Sequence, residues 1–174
     1  WSYDLLSAQE RAVFRRLSVF AGSFSLEAAE SICSGESVAA YGVLDILSSL
    51  IDKSLVLVEE RRGEARYRLL ATIRQYGQDK LHECAEAGTV RRHHRDWYAR
   101  LAERVESETL EAEQRSVFDR LEAEHENLRA ALRWSLEQQE AETAAQIGAA
   151  IVRFWLLRGH ISEGRRWLEQ ALSG

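Results

Sequence analysis

Apolar residues recur at helical spacing along most of the chain, and the spacing changes only between residues 55 and 70. Ser7 and Glu10 form a capping-box pair ahead of the first helix. The apolar face of that helix consists of Val13, Phe14, Leu17 and Phe20. Ser25 is placed to cap a short second helix that reaches residue 33. The first third of the chain is therefore predicted to fold as helices joined by short turns.

A third helix and a hairpin follow. The apolar stripe of the third helix consists of Val43, Leu44, Leu47, Leu50 and Ile51, so we expect this helix to be buried. After a break at residues 52–54, two β-prone runs at 55–59 and 66–70 flank a turn in which Gly63 can adopt positive φ. A further helix is expected to end near Gly88. Helix, hairpin and helix together predict a winged helix-turn-helix domain over residues 1–88.

From residue 89 onward the apolar pattern is helical throughout. Two long faces can be traced, one along Val90, His94, Trp97, Leu101 and Val105 and the next along Val117, Leu121, His125, Leu128, Leu132 and Leu136. Residues 144–159 and 161–172 are predicted to add two more helices around the turn at Gly159 and His160. We interpret residues 89–174 as stacked antiparallel helical pairs, and the fold class as mainly α.

Composition narrows the class of protein. The chain has 174 residues, is 45% hydrophobic and lacks proline, which fits a helical chain with a sizeable core. Its net charge of −5 gives no general attraction to nucleic acid. The strongest apolar run, 149–157, contains Arg153 and is too short to span a membrane. Cys33 and Cys84 lie far apart, which favours reduced thiols and a cytoplasmic location. The chain begins at Trp1 without Met, so we expect a piece of a longer protein.

Candidate sites for chemistry are weak. Residues 52–54 resemble the end of a phosphate-binding loop but lack its glycines and follow a helix. His82 and Cys84 are two apart on a helix and diverge, as do the adjacent His93 and His94, so neither pair is expected to form a catalytic or metal site. His125 is expected to be a core or interface residue. A solvated helix face is the expected role of Glu122, Glu124 and Glu126. We predict no enzyme activity, with no catalytic, cofactor-binding or metal-binding residue.

DNA binding is the alternative function. The third helix of a winged helix must offer Arg, Lys, Asn or Gln to base edges. Residues 43–54 offer instead Asp45, Ser48, Ser49, Asp52, Lys53 and Ser54. The wing arginines favour DNA contact; they are Arg61, Arg62, Arg66 and Arg68. The candidate DNA-binding residues are Arg61, Arg62, Arg66 and Lys53. A solvated hairpin or an acidic protein partner explains the same arginines, so we do not expect direct contact of this chain with DNA.

Several sequence blocks resemble one protein family. They are residues 1–6, 15–22, 47–56 (LSSLIDKSLV), 67–70, 73–76, 126–132 (ENLRAAL) and 154–172. Together they resemble the region after the ATPase module of bacterial STAND signalling ATPases, the large LuxR- and AfsR-like transcriptional regulators. The resemblance implies an upstream ATP- or ADP-binding module outside this chain. It also implies that residues 89–174 begin a longer tetratricopeptide-like superhelix that senses a protein or small-molecule inducer.

The family's nucleotide-sensing residues are not matched. Many members carry a His-Asp pair just after the second wing strand, where this chain has Leu70 and Ala71. Leu70 cannot hydrogen-bond a phosphate, so no cofactor-binding residue is transferred. The resemblance therefore implies a regulatory segment that couples its own ATPase module to downstream helical repeats by packing. A third hypothesis is a protein-binding adaptor that uses Trp97, Trp134, Trp155 and Trp167, which would otherwise be core residues.

Overall fold

A computed structural model describes residues 2–61, 63–108 and 114–173. The chain divides into two compact units, Trp1–His94 and Arg95–Gly174. The first unit contains α1 (Ala8–Leu17), α2 (Leu26–Cys33), α3 (Val43–Asp52), β1 (Leu57–Arg61), β2 (Glu64–Arg68) and α4 (Ala71–Glu83), with short 3-10 helices at Ser2–Leu5 and Ala40–Gly42. The division falls within α5 (Ala87–Glu108), and α6 (Gln114–Glu137), α7 (Ala141–Ala150), α8 (Val152–Arg158) and α9 (Ile161–Ser173) follow.

The predicted helix starts of the first unit are confirmed. The Ser7 hydroxyl accepts a hydrogen bond from the Glu10 backbone N–H, and the Glu10 carboxylate accepts one from the Ser7 N–H, so the capping box is complete. Ser25 caps α2 through the N–H of Ala28. These side chains satisfy backbone donors that a helix leaves without partners in its first turn.

The core of the first unit lies between α1, α2, α3 and the hairpin. Its fully buried side chains include Phe14, Leu17, Phe20, Phe24, Ile32, Leu47 and Leu50. The rings of Phe20 and Phe24 stack with their centroids 4.2 Å apart. Phe24 also exchanges backbone hydrogen bonds of 2.8 and 2.9 Å with Tyr67 of β2. The hairpin is thus anchored to the helical core through its second strand.

The predicted hairpin is confirmed, but its predicted ends were wrong by two residues. The N–H groups of Leu55 and Val56 both bond the carbonyl of Leu50, so these residues complete the end of α3 and β1 begins only at Leu57. The antiparallel pairing runs from Leu57 opposite Arg68 to Arg61 opposite Glu64. Gly63 has φ +82°, as the turn requires.

The end predicted for the helix after the wing was also wrong. α4 ends at Glu83 with Cys84 as its cap, and Ala85 takes the left-handed conformation with φ +55°. Gly88 lies instead in the first turn of α5. A helix can end on a left-handed residue other than glycine, although glycine is the usual choice. Because glycine is the usual residue at a helix end, the sequence prediction placed the end of this helix near Gly88.

The second unit consists of helices throughout its described residues. α6 packs against α7, α8 and α9, and α9 packs against α7 and α8. The helix predicted over 144–159 is two helices, because Ile151 leaves helical geometry at φ −104° and ψ 9° while its side chain stays buried. The turn predicted at Gly159 is present, with φ +83°. No helix in the described part of the chain is long and apolar enough to cross a membrane.

Candidate nucleic-acid interface

The helix that would read DNA in this fold is α3, and its outward face is acidic and apolar. Val43, Leu47 and Leu50 are buried against the core. The exposed residues of α3 are Leu44, Asp45, Ser48 and Asp52. None of them is a base-reading Arg, Lys, Asn or Gln. Two carboxylates on this face would meet the phosphate backbone with repulsion.

Lys53, the cation nearest to α3, is held in an ion pair. Its Nζ contacts Glu10 Oε1, and the Ser49 hydroxyl donates to the same oxygen at 2.5 Å. The Lys53 ion pair and, next, the Ser49 hydrogen bond lower the pKa of Glu10 to about 2. Glu10 is itself nine-tenths buried. Lys53 therefore joins α3 to α1, and binding a phosphate would require it to leave this carboxylate.

Arg66 lies inside the first unit. Only 5% of its surface is exposed. Its Nη2 donates to the Ser23 carbonyl at 2.9 Å and to the Ser23 hydroxyl at 3.3 Å. Through these hydrogen bonds Arg66 joins β2 to the segment between α1 and α2. The sequence had placed Arg66 among the candidate DNA contacts because hairpin alternation alone does not distinguish the two faces of a wing.

The remaining described candidate, Arg61, lies on the wing. Arg61 is exposed, and its Nε lies 3.8 Å from Glu59. Arg68 donates to the same carboxylate at 2.5 Å, which lowers the pKa of Glu59. Arg62 lies outside the described residues. Of the four candidate residues, Arg61 is the one that the structure places on the surface of the wing.

We expect Arg66→Gln to lower the free energy of unfolding of the chain by about 1.5 kcal/mol, because the carbonyl and hydroxyl oxygens of Ser23 lose a charged hydrogen-bond donor. Arg61→Gln serves as the matched control and should change it by less than about 0.5 kcal/mol, since its ion pair is solvent-exposed. Urea denaturation followed by circular dichroism measures both. Equal effects of the two substitutions would contradict the structural role of Arg66.

Leu70 and Ala71 lie at the start of α4. Leu70 precedes this helix, makes no side-chain capping hydrogen bond and is 43% exposed, and Ala71 is the first helical residue. Val58 on β1 and Tyr41 before α3 are further exposed apolar side chains. The surface of the first unit thus carries several exposed large hydrophobic side chains.

Two α-helices followed by α3, a two-stranded wing and α4 define a winged helix-turn-helix domain. Residues 6–82 match the family model described as "Winged helix-turn-helix domain". These residues therefore form such a domain.

Relatives extend the comparison. The chain is 40% identical over 172 residues, 99% of its length, to a Mycobacterium tuberculosis (strain H37Rv) protein named "Putative HTH-type transcriptional regulator Rv0890c", and equally to one from Mycobacterium bovis named "Putative HTH-type transcriptional regulator Mb0914c". It spans about a fifth (19%) of the length of both. It is 46% identical over 91 residues, covering 52% of the chain and 23% of the relative, to a Mycobacterium tuberculosis protein named "Uncharacterized protein Rv0894". No solved structure matches the chain.

Proposed function

We propose that this chain is a non-catalytic regulatory segment of a multidomain transcriptional regulator of the STAND type. In this proposal the winged helix couples an upstream ATPase module, which would bind ATP or ADP, to a sensor built from the helices of the second unit and further tetratricopeptide-like repeats. The chain's own partners are those two neighbouring regions. An inducer, either a protein or a small molecule, would act through the repeats.

The observation that carries the proposal is the outward face of α3. A helix that reads DNA exposes donors to base edges and cations to phosphates. Leu44 and Ser48 instead share this face with Asp45 and Asp52. An apolar and acidic helix face of this kind suits packing against another protein module.

Two further features support coupling by packing. Leu70, at the position of the family's nucleotide-sensing pair, offers an exposed apolar side chain to a neighbouring surface. The second unit exposes Leu156, Leu157, Ile161 and Leu172, each by more than half. Exposed leucine and isoleucine side chains clustered on two consecutive helices are typical of surfaces that another helix covers.

The test uses the full-length regulator and its bound nucleotide. Leu44→Asp should weaken packing of the winged helix on the ATPase module and speed ADP release at least tenfold, measured with a fluorescent ADP analogue in a stopped-flow instrument. Leu5→Asp, which changes an exposed leucine outside α3, is the control and should leave release unchanged. Unchanged release in Leu44→Asp, or no nucleotide binding by the full-length protein, would contradict the proposal.

The second candidate function is DNA binding by the winged helix. The fold favours it, as does the name of the mycobacterial relatives, and the exposed Arg61 is the residue that would contact a phosphate. On this alternative, Arg61→Gln would reduce both affinity for duplex DNA and the steepness of its salt dependence, since one phosphate contact is lost.

A further inference from the structure

The helical unit brings two histidines and a glutamate together from distant parts of the chain. Glu122 and His125 are three residues apart on α6 and therefore share a face. His160 lies between α8 and α9, directly after the left-handed Gly159, and its carbonyl accepts hydrogen bonds from the first turn of α9. One ligand atom from each of the three side chains lies within 4.8 Å of the other two.

His125 gives an independent reason to look for a ligand here. It is 95% buried, 5% of its surface being exposed, and its Nε2 has no hydrogen-bond partner among the described residues. The nearest carboxylate oxygen, Oε1 of Glu163, lies 3.6 Å away. That carboxylate already accepts two hydrogen bonds of 2.5 Å from Arg129 and one of 3.2 Å from Trp167. A buried imidazole nitrogen left without a partner costs free energy unless something binds it.

The electrostatics of the cluster suit a cation. The Glu163 carboxylate lies beside His125 and is held in place by hydrogen bonds from Arg129 and Trp167. The Arg129 charge is offset by its ion pairs with Glu163 and Glu126. Glu122 adds a carboxylate 3.3 Å from His160 Nε2.

We propose that Glu122, His125 and His160 form a binding site for a divalent transition-metal ion, Zn²⁺ being the best fit. Two imidazoles and one carboxylate are a common zinc donor set, with a fourth position left to water. Calcium and magnesium prefer all-oxygen sites, and copper(I) prefers sulfur ligands. Donor atoms around tetrahedral zinc lie about 3.4 Å apart. Rotation of the partly exposed Glu122 and His160 side chains closes the remaining gap.

The bound ion would cross-link two parts of the helical unit. Its ligands come from α6 and from the turn before α9, so a bound ion ties these two parts of the helical unit together. Because the unfolded chain does not hold the three donors in place, zinc would stabilise the folded unit by mass action. Zinc availability would then set the rigidity of the helices that the second unit presents to its partners.

The test is zinc titration of the tag-free chain by isothermal titration calorimetry, together with the visible absorption spectrum of the Co²⁺ form. We expect one zinc ion per chain with a dissociation constant in the micromolar range or below, intense absorption bands typical of four-coordinate cobalt, and a rise in the melting temperature of several degrees. His160→Gln and Glu122→Gln should each weaken binding at least tenfold. Both side chains reach solvent, so these variants should fold.

His82→Gln provides the control, since it removes an exposed histidine of the first unit and should leave zinc affinity unchanged. The proposal is overturned if the chain binds no zinc at 100-micromolar concentrations, a range well above that of structural sites. It is also overturned if His160→Gln and Glu122→Gln bind zinc as tightly as the unaltered chain, or if zinc raises their melting temperatures as much as that of the unaltered chain.

Discussion

Gly164→Ala should destabilise the helical unit by about 3 kcal/mol, which is the upper part of the range for overpacking a well-packed core. A β-carbon at position 164 would lie 2.6 Å from Cδ2 of the Trp155 indole. Trp155 is 99% buried, with 1% of its surface exposed, so the ring cannot swing into solvent. The added methyl group can therefore be accommodated only if α8 and α9 move apart. Urea denaturation monitored by tryptophan fluorescence should show this loss of stability as a lower urea concentration at the midpoint of unfolding.

Two variants make this prediction specific. Gly88→Ala also places alanine in a helix, but nothing lies within 4 Å of its β-carbon, so it should be neutral or stabilising by up to about 1 kcal/mol. Combining Gly164→Ala with Trp155→Phe should be less damaging than the sum of the two single changes, because the smaller ring makes room for the methyl group. Strict additivity of the two would show that the glycine is not needed for close approach of the indole.

Glu10→Gln should lower the free energy of unfolding of the chain by about 2 kcal/mol at pH 7. The carboxylate accepts hydrogen bonds from the Ser7 N–H and the Ser49 hydroxyl and pairs with Lys53. An amide of the same shape keeps part of the capping but loses the charge. Glu36→Gln, in an exposed loop, is the control and should have no measurable effect.

The same residue predicts a pH dependence. The pKa of Glu10 is lowered from an ordinary 4.5 to about 2 in the folded chain. A lowered folded-state pKa adds stability that is fully present above the unfolded value and is lost as pH falls toward the folded value. The difference in free energy of unfolding between the unaltered chain and Glu10→Gln should therefore stay constant above about pH 5.5 and decrease steadily toward pH 2. Denaturation curves at pH 7, 4 and 3 measure it, and a constant gap would refute this origin of the stability.

Elements governed by local rules were predicted well from the sequence. The capping box of Ser7 and Glu10, the cap at Ser25 and the positive φ of Gly63 all depend on residues within a few positions of one another. The burial of α3 was predicted only in part from its apolar stripe: Val43, Leu47 and Leu50 are buried, whereas Leu44 of the same stripe is 43% exposed and Ile51 is half-buried. Such features are fixed before long-range packing is considered.

Features that depend on distant residues were not predicted. Glu124 was expected on a solvated face, but it is buried and accepts a hydrogen bond of 2.8 Å from the Tyr98 hydroxyl. The pattern of the hairpin predicts a solvated Arg66, but this residue is buried and hydrogen-bonds Ser23, which lies 43 residues earlier in the sequence. Glu122, with its neighbour His125, was judged without His160, which is 38 residues away in sequence. In each case the decisive contact crosses between elements, which periodicity does not report.

The tryptophans divide between the two roles considered for them. Trp155 is a core residue, whereas Trp97, Trp134 and Trp167 are half-buried. Trp167 donates a hydrogen bond to Glu163 through its indole N–H. A half-buried tryptophan with a polar partner can serve packing and binding together. The adaptor hypothesis therefore depends on these three residues and not on Trp155.

In the function that we propose, α3 packs against protein and does not read DNA. Fluorescence anisotropy of labelled duplexes, titrated with this chain at 50 mM salt and repeated at 200 mM, tests it most directly. We predict no saturable binding up to tens of micromolar protein at 50 mM salt, where non-specific binding of a DNA-binding protein is tighter than at physiological salt and should be detected. Saturable binding that weakens steeply with salt, and that is further weakened by Ser48→Asp on the exposed face of α3, would contradict the claim.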